Sequence, residues 1–596
     1  MNLSPEEKAV GKQNFLQAVG TTRRDFLKGT IATGATTGAS LGAMYFGYGA
    51  KIEEPLRVGI IGTGDEGSVL IGALNPEFVD VVAIADIRPY SIYRAFHGDV
   101  SSPTAKQARP GLLEMYKDVH GWKDETEARE HVQVYTDRYQ KLLEDDNVEA
   151  VIITLPLWLH DIAAIDAMRA GKHVLTEKLM AQTVGRCKEM ARVSEETGMV
   201  LATGHQRHYS ILYANAVDQI RRGLIGDIHH IRAQWHRGNL PGKDSWQPPL
   251  PTEMLTEEQY KDKLRASRTA GNEFAFKKEY ELLGQLYSLR NKAKDSRYSS
   301  TEREAFSIYA RQKEAQLFDY QLKDKAADYG YVEKTFADGS GRKRTALEEL
   351  IRWRLWDRTG AGLMAELGSH QLDAASIFIS AQRESGQKVI PLSVFGSGSR
   401  SLFPADRDVD DHVYTTFEFP GPDYFKNGND GEVADPNKKI VVSYSSINGN
   451  GFGGYGEVVI GTKGTLILER EKEVMLYKGS STTTNIKVSQ GKGGPQLDTT
   501  ESGGADAAVA QTAMPTDISR GYREEIEHWA WCIRNPDSGD KPKCHPKVAL
   551  ADAVIALTSN LAMAEERRIE FKPEWFDIKS DETPDGVPPR QPGDIA

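Results

Sequence analysis

Cysteine is nearly absent: Cys187, Cys532 and Cys544 are the only three in 596 residues, too few and too scattered for a disulfide framework or a CxxC metal site. Between Cys532 and Cys544 one bridge and two free thiols are equally open. A surplus of positive charge is also missing, with 74 Lys and Arg against 85 Asp and Glu and a formal net charge of -11. That excludes nucleic acid and anionic bilayers as partners held by bulk electrostatics. With 39% hydrophobic and 27% charged residues the composition is that of a soluble globular protein. The length exceeds what one hydrophobic core organises, so two principal domains are predicted.

What is present begins with an arginine pair. Thr21-Thr22-Arg23-Arg24-Asp25-Phe26-Leu27-Lys28 precedes a weakly apolar stretch of Gly, Ala, Thr, Ile, Leu and Met without an acidic residue. This is the layout of a twin-arginine signal, so residues 1–50 read as an address segment and the twin-arginine translocation machinery as a partner. The protein is then periplasmic or otherwise exported. Tyr48 stands where a small residue is wanted before Ala50, so cleavage nearer Ala39 or Gly42 and an uncleaved N-terminus holding the chain at the membrane are both open. A folded protein exported by that route carries its cofactor with it and finds no pool outside, so tight cofactor binding is expected.

From residue 55 the pattern is strand, glycine turn, helix. Leu56–Ile61 is an apolar run ending in Gly62-Thr63-Gly64-Asp65-Glu66-Gly67, followed by a helix-compatible segment. Gly62 lets the chain turn, Gly64 leaves room for a pyrophosphate, and Gly67 lets helix and strand pack closely. Asp86 closes the next strand about twenty residues on, where a carboxylate bonds a ribose 2'-hydroxyl and favours NAD. Arg88 beside it offers a 2'-phosphate partner and keeps NADP open. Further strands at 148–156, 172–179 and 199–207 gather polar residues at their carboxyl ends, the ligand edge of a parallel sheet.

These residues resemble the glucose-fructose oxidoreductase and inositol dehydrogenase (Gfo/Idh/MocA) family. The likeness is carried by Gly62–Gly67, by Ile153-Thr154-Leu155-Pro156 with His160, by Ala170–Val174 leading into Glu177-Lys178, by Gly223–Ile228, by Glu366–Asp373 and by Gly461–Leu466. The family usually has proline where Leu179 follows Lys178. The resemblance implies an α/β Rossmann domain at 55–205, then an α+β domain at 206–575 with a large, open, mostly antiparallel sheet that forms one wall of the active site and often a dimer interface. A homo-oligomer is therefore expected. Strand-like stretches at 228–237, 389–397, 412–418, 439–446 and 458–468 fit that sheet. A charged helical insertion at about 240–350, a Ser/Thr/Gly-rich mobile loop at 480–515 and an extended tail at 576–596 complete the division.

The resemblance also assigns roles. His370 is the acid-base residue, and Lys178 polarises the substrate oxygen and contacts the cofactor. Glu366 and Asp373, four before and three after His370, share its face if the segment is helical and would orient the imidazole. Gly62, Gly64, Gly67, Asp86, Arg88, Pro156, His160, Glu177 and Lys178 form the cofactor set. His205, Arg207, Trp235, His236 and Arg237 are substrate candidates, because aromatic and hydrogen-bonding groups suit a sugar. No metal centre is expected. The reading that follows is an oxidoreductase moving hydride between a tightly held nicotinamide dinucleotide and a sugar or cyclitol. The alternatives are an NAD-dependent glycosidase that oxidises, eliminates, adds water and reduces back, and a non-catalytic dinucleotide-binding protein. The run Ile351–Trp356, at the end of the insertion, leads back toward the site.

Overall fold

The computed structural model describes residues 3–32, 38–242, 247–336, 341–383, 388–427, 431–491, 494–499, 507–508, 510–511 and 519–590. Six short apolar segments form the first sheet: β1 (Leu56–Ile61), β2 (Val79–Ala85), β3 (Gln133–Tyr135), β4 (Ala150–Ile153), β5 (His173–Glu177) and β6 (Leu201–Gly204). Helices cover both faces, so Val58, Ile60, Val81, Ile84, Val151 and Ile152 are wholly buried, which explains the near-continuous hydrophobic runs. The strands are parallel in the order β3-β2-β1-β4-β5-β6. The order reverses between β1 and β4, and a crevice opens there at the strands' carboxyl ends.

The second sheet has eight strands: β7 (Ile228–His236), β8 (Ser393–Ser399), β9 (His412–Pro420), β10 (Lys439–Ile447), β11 (Tyr455–Gly461), β12 (Gly464–Glu469), β13 (Glu473–Lys478) and β14 (Ile569–Glu570). Their order is β13-β12-β11-β7-β10-β9-β8-β14, and only the β7–β10 pair is parallel. The Rossmann domain plus a mostly antiparallel second sheet is thus the architecture expected. Along β10 buried and half-buried residues alternate strictly, one face on the core and one open. The stretch 458–468, read as one strand, is a hairpin. Gly461 lies so close to the Ile225 carbonyl that a Cβ would approach it to 2.2 Å, and the chain turns between Gly461 and Gly464. Pro391, which has no amide to donate, delays β8 to Ser393.

The N-terminal segment is folded onto the body. Its helices are Pro5–Thr22, Arg24–Ala32 and Gly38–Phe46. The first lies along the outer strand β13. Asn14 Nδ2 donates to the Leu476 carbonyl at 3.1 Å, its Oδ1 accepts from the Ile486 amide at 2.9 Å, and Lys8 pairs with Glu469 at 2.6 Å. Arg23 places its guanidinium 4.8 Å over the Tyr45 ring and 3.7 Å from Asp218. Phe15, Val19, Leu27, Leu41 and Phe46 join the main core.

All three cysteines are free and buried, so the Cys532–Cys544 bridge does not form. Part of the expected loop at 480–515 is a ribbon of two antiparallel strands, Ile486–Gly491 and Gly494–Thr499, and most of residues 500–515 lie outside the described residues. The tail is anchored: Lys188, buried in the helix Val184–Thr197, donates to the carbonyls of Glu574, Ser580 and Glu582. The insertion holds the helices Glu257–Thr269, Glu273–Glu279, Glu281–Lys294 and Ser300–Phe318. Two of them start with reciprocal caps, Thr256 with Gln259 and Ser299 with Glu302. They enclose an apolar cluster of their own around Leu282, Leu283, Leu286 and Leu317, where only surface helices were expected.

Candidate active site

The crevice at the switch point continues into a cavity of about 830 Å³ between the two sheets. At its cofactor end the three glycines divide the work. Gly62 sits at φ +86° against the Thr154 carbonyl, and a Cβ on Gly67 would meet the Gly62 carbonyl at 2.5 Å. A Cβ on Gly64, by contrast, would meet nothing within 4 Å, so the backbone there faces open space at the start of the helix Asp65–Ala73. A pyrophosphate fits that opening, against the free amides of the first helical turn. Asp86 accepts from the Thr63 amide at 2.7 Å and the Arg88 amide at 2.8 Å, which fixes a carboxylate at the end of β2 and on the cavity wall. Arg88 is engaged elsewhere: its guanidinium is paired at 2.8 Å with Asp319, a wholly buried residue of the insertion. A 2'-phosphate would meet an arginine already neutralised, so this end is built for NAD. Asp65 is buried, which pushes its carboxyl up, yet Arg94, Arg354 and Arg109 together hold it well below the usual range.

Pro156, His160, Glu177 and Lys178 line the middle. His160 bridges the Leu155 and Leu179 carbonyls at 2.8 Å each, tying the end of β4 to the turn after β5. That turn contains a cis peptide between Lys178 and Leu179. Lys178 Nζ donates to the carbonyls of Ala365 (3.0 Å) and Glu366, a contact between the two domains. Burial drives its pKa down, opposed by Glu177 and Glu366, while burial and the Glu66 carboxylate drive Glu177 up.

The segment around His370 departs from the expected single helix. Met364–Gly368 is a π-helical turn that runs into the α-helix Ser369–Ser380. Its wider winding turns the Glu366 carboxylate away from the imidazole: Glu366 accepts from Arg237 at 2.6 Å and lies 3.6 Å from Arg354. Burial raises its pKa and the two arginines bring it below the usual value. Glu366 still lines the cavity, whereas Asp373 does not. Its carboxylate takes His208 at 2.9 Å and Lys388 at 3.2 Å instead. Neither acid therefore orients His370. The imidazole itself lines the cavity 5.6 Å from the Trp235 ring, and among the described residues neither ring nitrogen has a hydrogen-bond partner. Burial, with Lys178, Arg207 and His205 nearby, holds its pKa well below the usual histidine value, so it is neutral.

Of the substrate candidates, Trp235, His236 and Arg237 line the cavity. His236 has both nitrogens engaged, by the Phe452 carbonyl and the Ser445 hydroxyl. Arg207 is buried beneath the floor, bonded to Glu471 at 2.5 Å and 5.8 Å under Trp235. It supports the indole. His205 is likewise buried, 3.7 Å from Asp373, in the same cluster as His208. Both are substrate candidates for their hydrogen-bonding groups, but burial keeps them out of the cavity.

Sequence reasoning missed Tyr455, which stacks on Trp235 at 4.3 Å, and Arg520 and Tyr522, which reach the cavity from the start of the helix Tyr522–Arg534. Arg520 bonds Glu471 at 2.6 Å. No motif marks them, and the nearest signal is the glycine Gly521, at φ +105°, whose Cβ would strike the Gln206 carbonyl. Trp353 and Arg354, from the run at 351–356, do line the cavity, as do Tyr329 and Tyr331 of the insertion.

An alpha-N-acetylgalactosaminidase of Shewanella oneidensis is 28% identical over 235 residues, 38% of this chain and 46% of its own length. An uncharacterized oxidoreductase of Schizosaccharomyces pombe is 30% identical over 145 residues, 24% of this chain and 39% of its own. The chain thus spans less than half the length of these relatives. Levoglucosan dehydrogenase, solved with NADH and L-sorbose, is 15% identical with a TM-score of 0.47, covering 87% of this chain and 99% of that one. The aldose-aldose oxidoreductase of Caulobacter crescentus, complexed with glycerol, is 16% identical with a TM-score of 0.44, covering 87% and 100%. Residues 56–205 match the Gfo/Idh/MocA profile, described as an oxidoreductase family with an NAD-binding Rossmann fold. The glycine turn, the acid of β2 and the strand order agree with that match, and over residues 56–205 the chain is similar to the Gfo/Idh/MocA family of NAD-binding oxidoreductases.

Proposed function

We propose that this protein is an NAD-dependent oxidoreductase that moves a hydride between the cofactor and a hydroxyl-bearing carbon of a sugar or cyclitol. The observation that carries the reading is the meeting of Lys178, from the Rossmann domain, and His370, from the second domain, in the cavity that begins at Gly64. Nicotinamide supplies the hydride acceptor; the rest is done by side chains. The neutral His370, with no protein partner for its ring nitrogens, takes the hydroxyl proton as the carbonyl forms. The Lys178 ammonium spends two of its three N–H groups on the Ala365 and Glu366 carbonyls and directs the third at the substrate oxygen. Trp235 and Tyr455 offer the apolar face of a sugar a stacked aromatic wall. NADH formation with a panel of sugars and cyclitols, lost in His370→Ala and Lys178→Ala, tests this. No turnover with any of them, or full activity in both variants, defeats it.

The second reading, the redox-neutral glycosidase, is favoured by the relatives named alpha-N-acetylgalactosaminidase and glycosyl hydrolase family 109 protein. It predicts aglycone release from aryl glycosides with no net NADH. Cofactor retention is part of the proposal: the insertion crosses the groove with Asp319 on Arg88, Gln247 on Asp65 at 3.1 Å and Gln312 on the Val100 amide at 2.7 Å. Mass spectrometry of protein purified without added nucleotide checks it. Export rests on the Arg23-Arg24 pair and the weakly apolar, acid-free stretch after it, and cell fractionation with N-terminal sequencing decides it.

A further inference from the structure

Among the described residues, potential metal ligands gather in two places outside the active cavity. One is the buried cluster of His205, His208, Asp373, Cys544 and Asp552. It already contains a cation, because the Lys388 ammonium is ion-paired with Asp552 and lies 3.2 Å from Asp373. A divalent ion would have to expel it. The other has no such occupant. It stands at the opposite end of β2 from Asp86, where Asp80 on the strand faces His120, in the turn after Tyr116, and His131, the last residue of the helix Glu125–His131.

We propose that Asp80, His120 and His131 form a binding site for a divalent transition metal of the zinc class. The Nε2 atoms of both histidines lie 3.0 Å from the same carboxylate oxygen, Oδ1 of Asp80, and one ligand atom from each residue falls within 4.8 Å of the other two. Ligands bound at about 2.0 Å around a tetrahedral ion sit about 3.3 Å apart, so each 3.0 Å contact with Asp80 has only a few tenths of an ångström to open for the metal. The rings are held for it. His120 stacks on Trp122 with centroids 4.7 Å apart and planes 16° from parallel, and its ring lies 4.3 Å from that of His131. His131 Nε2 also lies 3.1 Å from Asp80 Oδ2, and beyond these two histidines the Asp80 carboxylate has no hydrogen-bond partner among the described residues. The side chains are 22%, 22% and 31% exposed, open enough for the ion to enter and for water to complete its shell. Two imidazoles and one carboxylate select Zn²⁺, Ni²⁺ or Cu²⁺ over Mg²⁺ and Ca²⁺, which prefer oxygen. In the apo protein the same atoms form a pair of His–Asp hydrogen bonds. The metal would replace both and pin the start of β2 to the two flanking segments.

Calorimetric titration of the full chain with Zn²⁺, after chelation and in the presence of excess Mg²⁺, tests the site. One equivalent should bind and raise Tm. His131→Gln and Asp80→Asn should each weaken binding by at least about tenfold, the effect that loss of even an outer-shell partner has at metal sites. Asp552→Asn, in the other cluster, should leave it unchanged. His131→Gln keeps a hydrogen-bond donor at a half-exposed position, and its metal-free Tm checks folding independently. No binding above background, binding unchanged in both variants, or binding abolished by Asp552→Asn overturns the proposal.

Discussion

The two ends of the cavity are made of different material. At the cofactor end the functional surface is backbone: a glycine turn, the amides of a helix start and one carboxylate fixed by two amides. At the substrate end it is side chains, many of them ionised and held in pairs drawn from distant parts of the chain. Glu366 lies between Arg237 and Arg354, and Glu471 between Arg207 and Arg520. A backbone site tolerates sequence change everywhere except at its glycines. A site of paired charges transmits every loss to its partner, because a buried charge left alone is costly.

The sharpest break should come at the side-chain end. His370→Ala is expected to lower kcat/KM by about a hundred- to ten-thousand-fold with NAD content and Tm unchanged, since removing a general base removes chemistry rather than structure. Next is the joint between the ends. Asp319→Asn strands the buried Arg88 guanidinium at a cost of about 3–5 kcal/mol, and thermal unfolding should show it alongside loss of NAD on dialysis. At the backbone end two alanines separate fold from function. Gly67→Ala forces a Cβ onto the Gly62 carbonyl and should cost about 1–3 kcal/mol. Gly64→Ala fills open space, so Tm should hold while NAD affinity falls. Equal Tm losses in the two would erase the distinction drawn here.

The smallest effect is in pH. His370 and His205 have folded pKa values below the unfolded value of about 6.5, that of His205 pushed down to about 3 by burial. The folded state therefore binds fewer protons, and the stability these histidines contribute is complete above about pH 6.5 and lost as pH falls below it. For the same reason His370 stays unprotonated in mild acid. The pH profile of kcat/KM should lack a limb near 6.5 from this residue, and a limb there that vanishes in His370→Ala would show the imidazole to be less secluded than described.

The same division explains what the sequence revealed. Gly62, Gly64, Gly67 and Asp86 were legible because a local motif makes a local structure. Lys178 and His370 were legible through family likeness, as was the second sheet. Glu366 and Asp373 are placed with His370 by helical spacing; the π-turn at Met364–Gly368 breaks that spacing for Glu366, and Asp373 keeps it but is drawn to His208 and Lys388. His205 and Arg207 sit after a strand end, yet burial against Asp373 and Glu471 depends on residues far along the chain. Arg520 and Tyr522 carry no motif at all.

The helix Pro5–Thr22 shields the last strand of an eight-strand ribbon whose outward carbonyl at Leu476 is capped by a single asparagine. Protein shortened to begin near residue 51, as for a cleaved leader, would bare that rim together with the hollow that Phe15 and Val19 fill. Such a truncated preparation should clump or pair rim to rim in solution, and the first fifty residues belong in any sample prepared for assay.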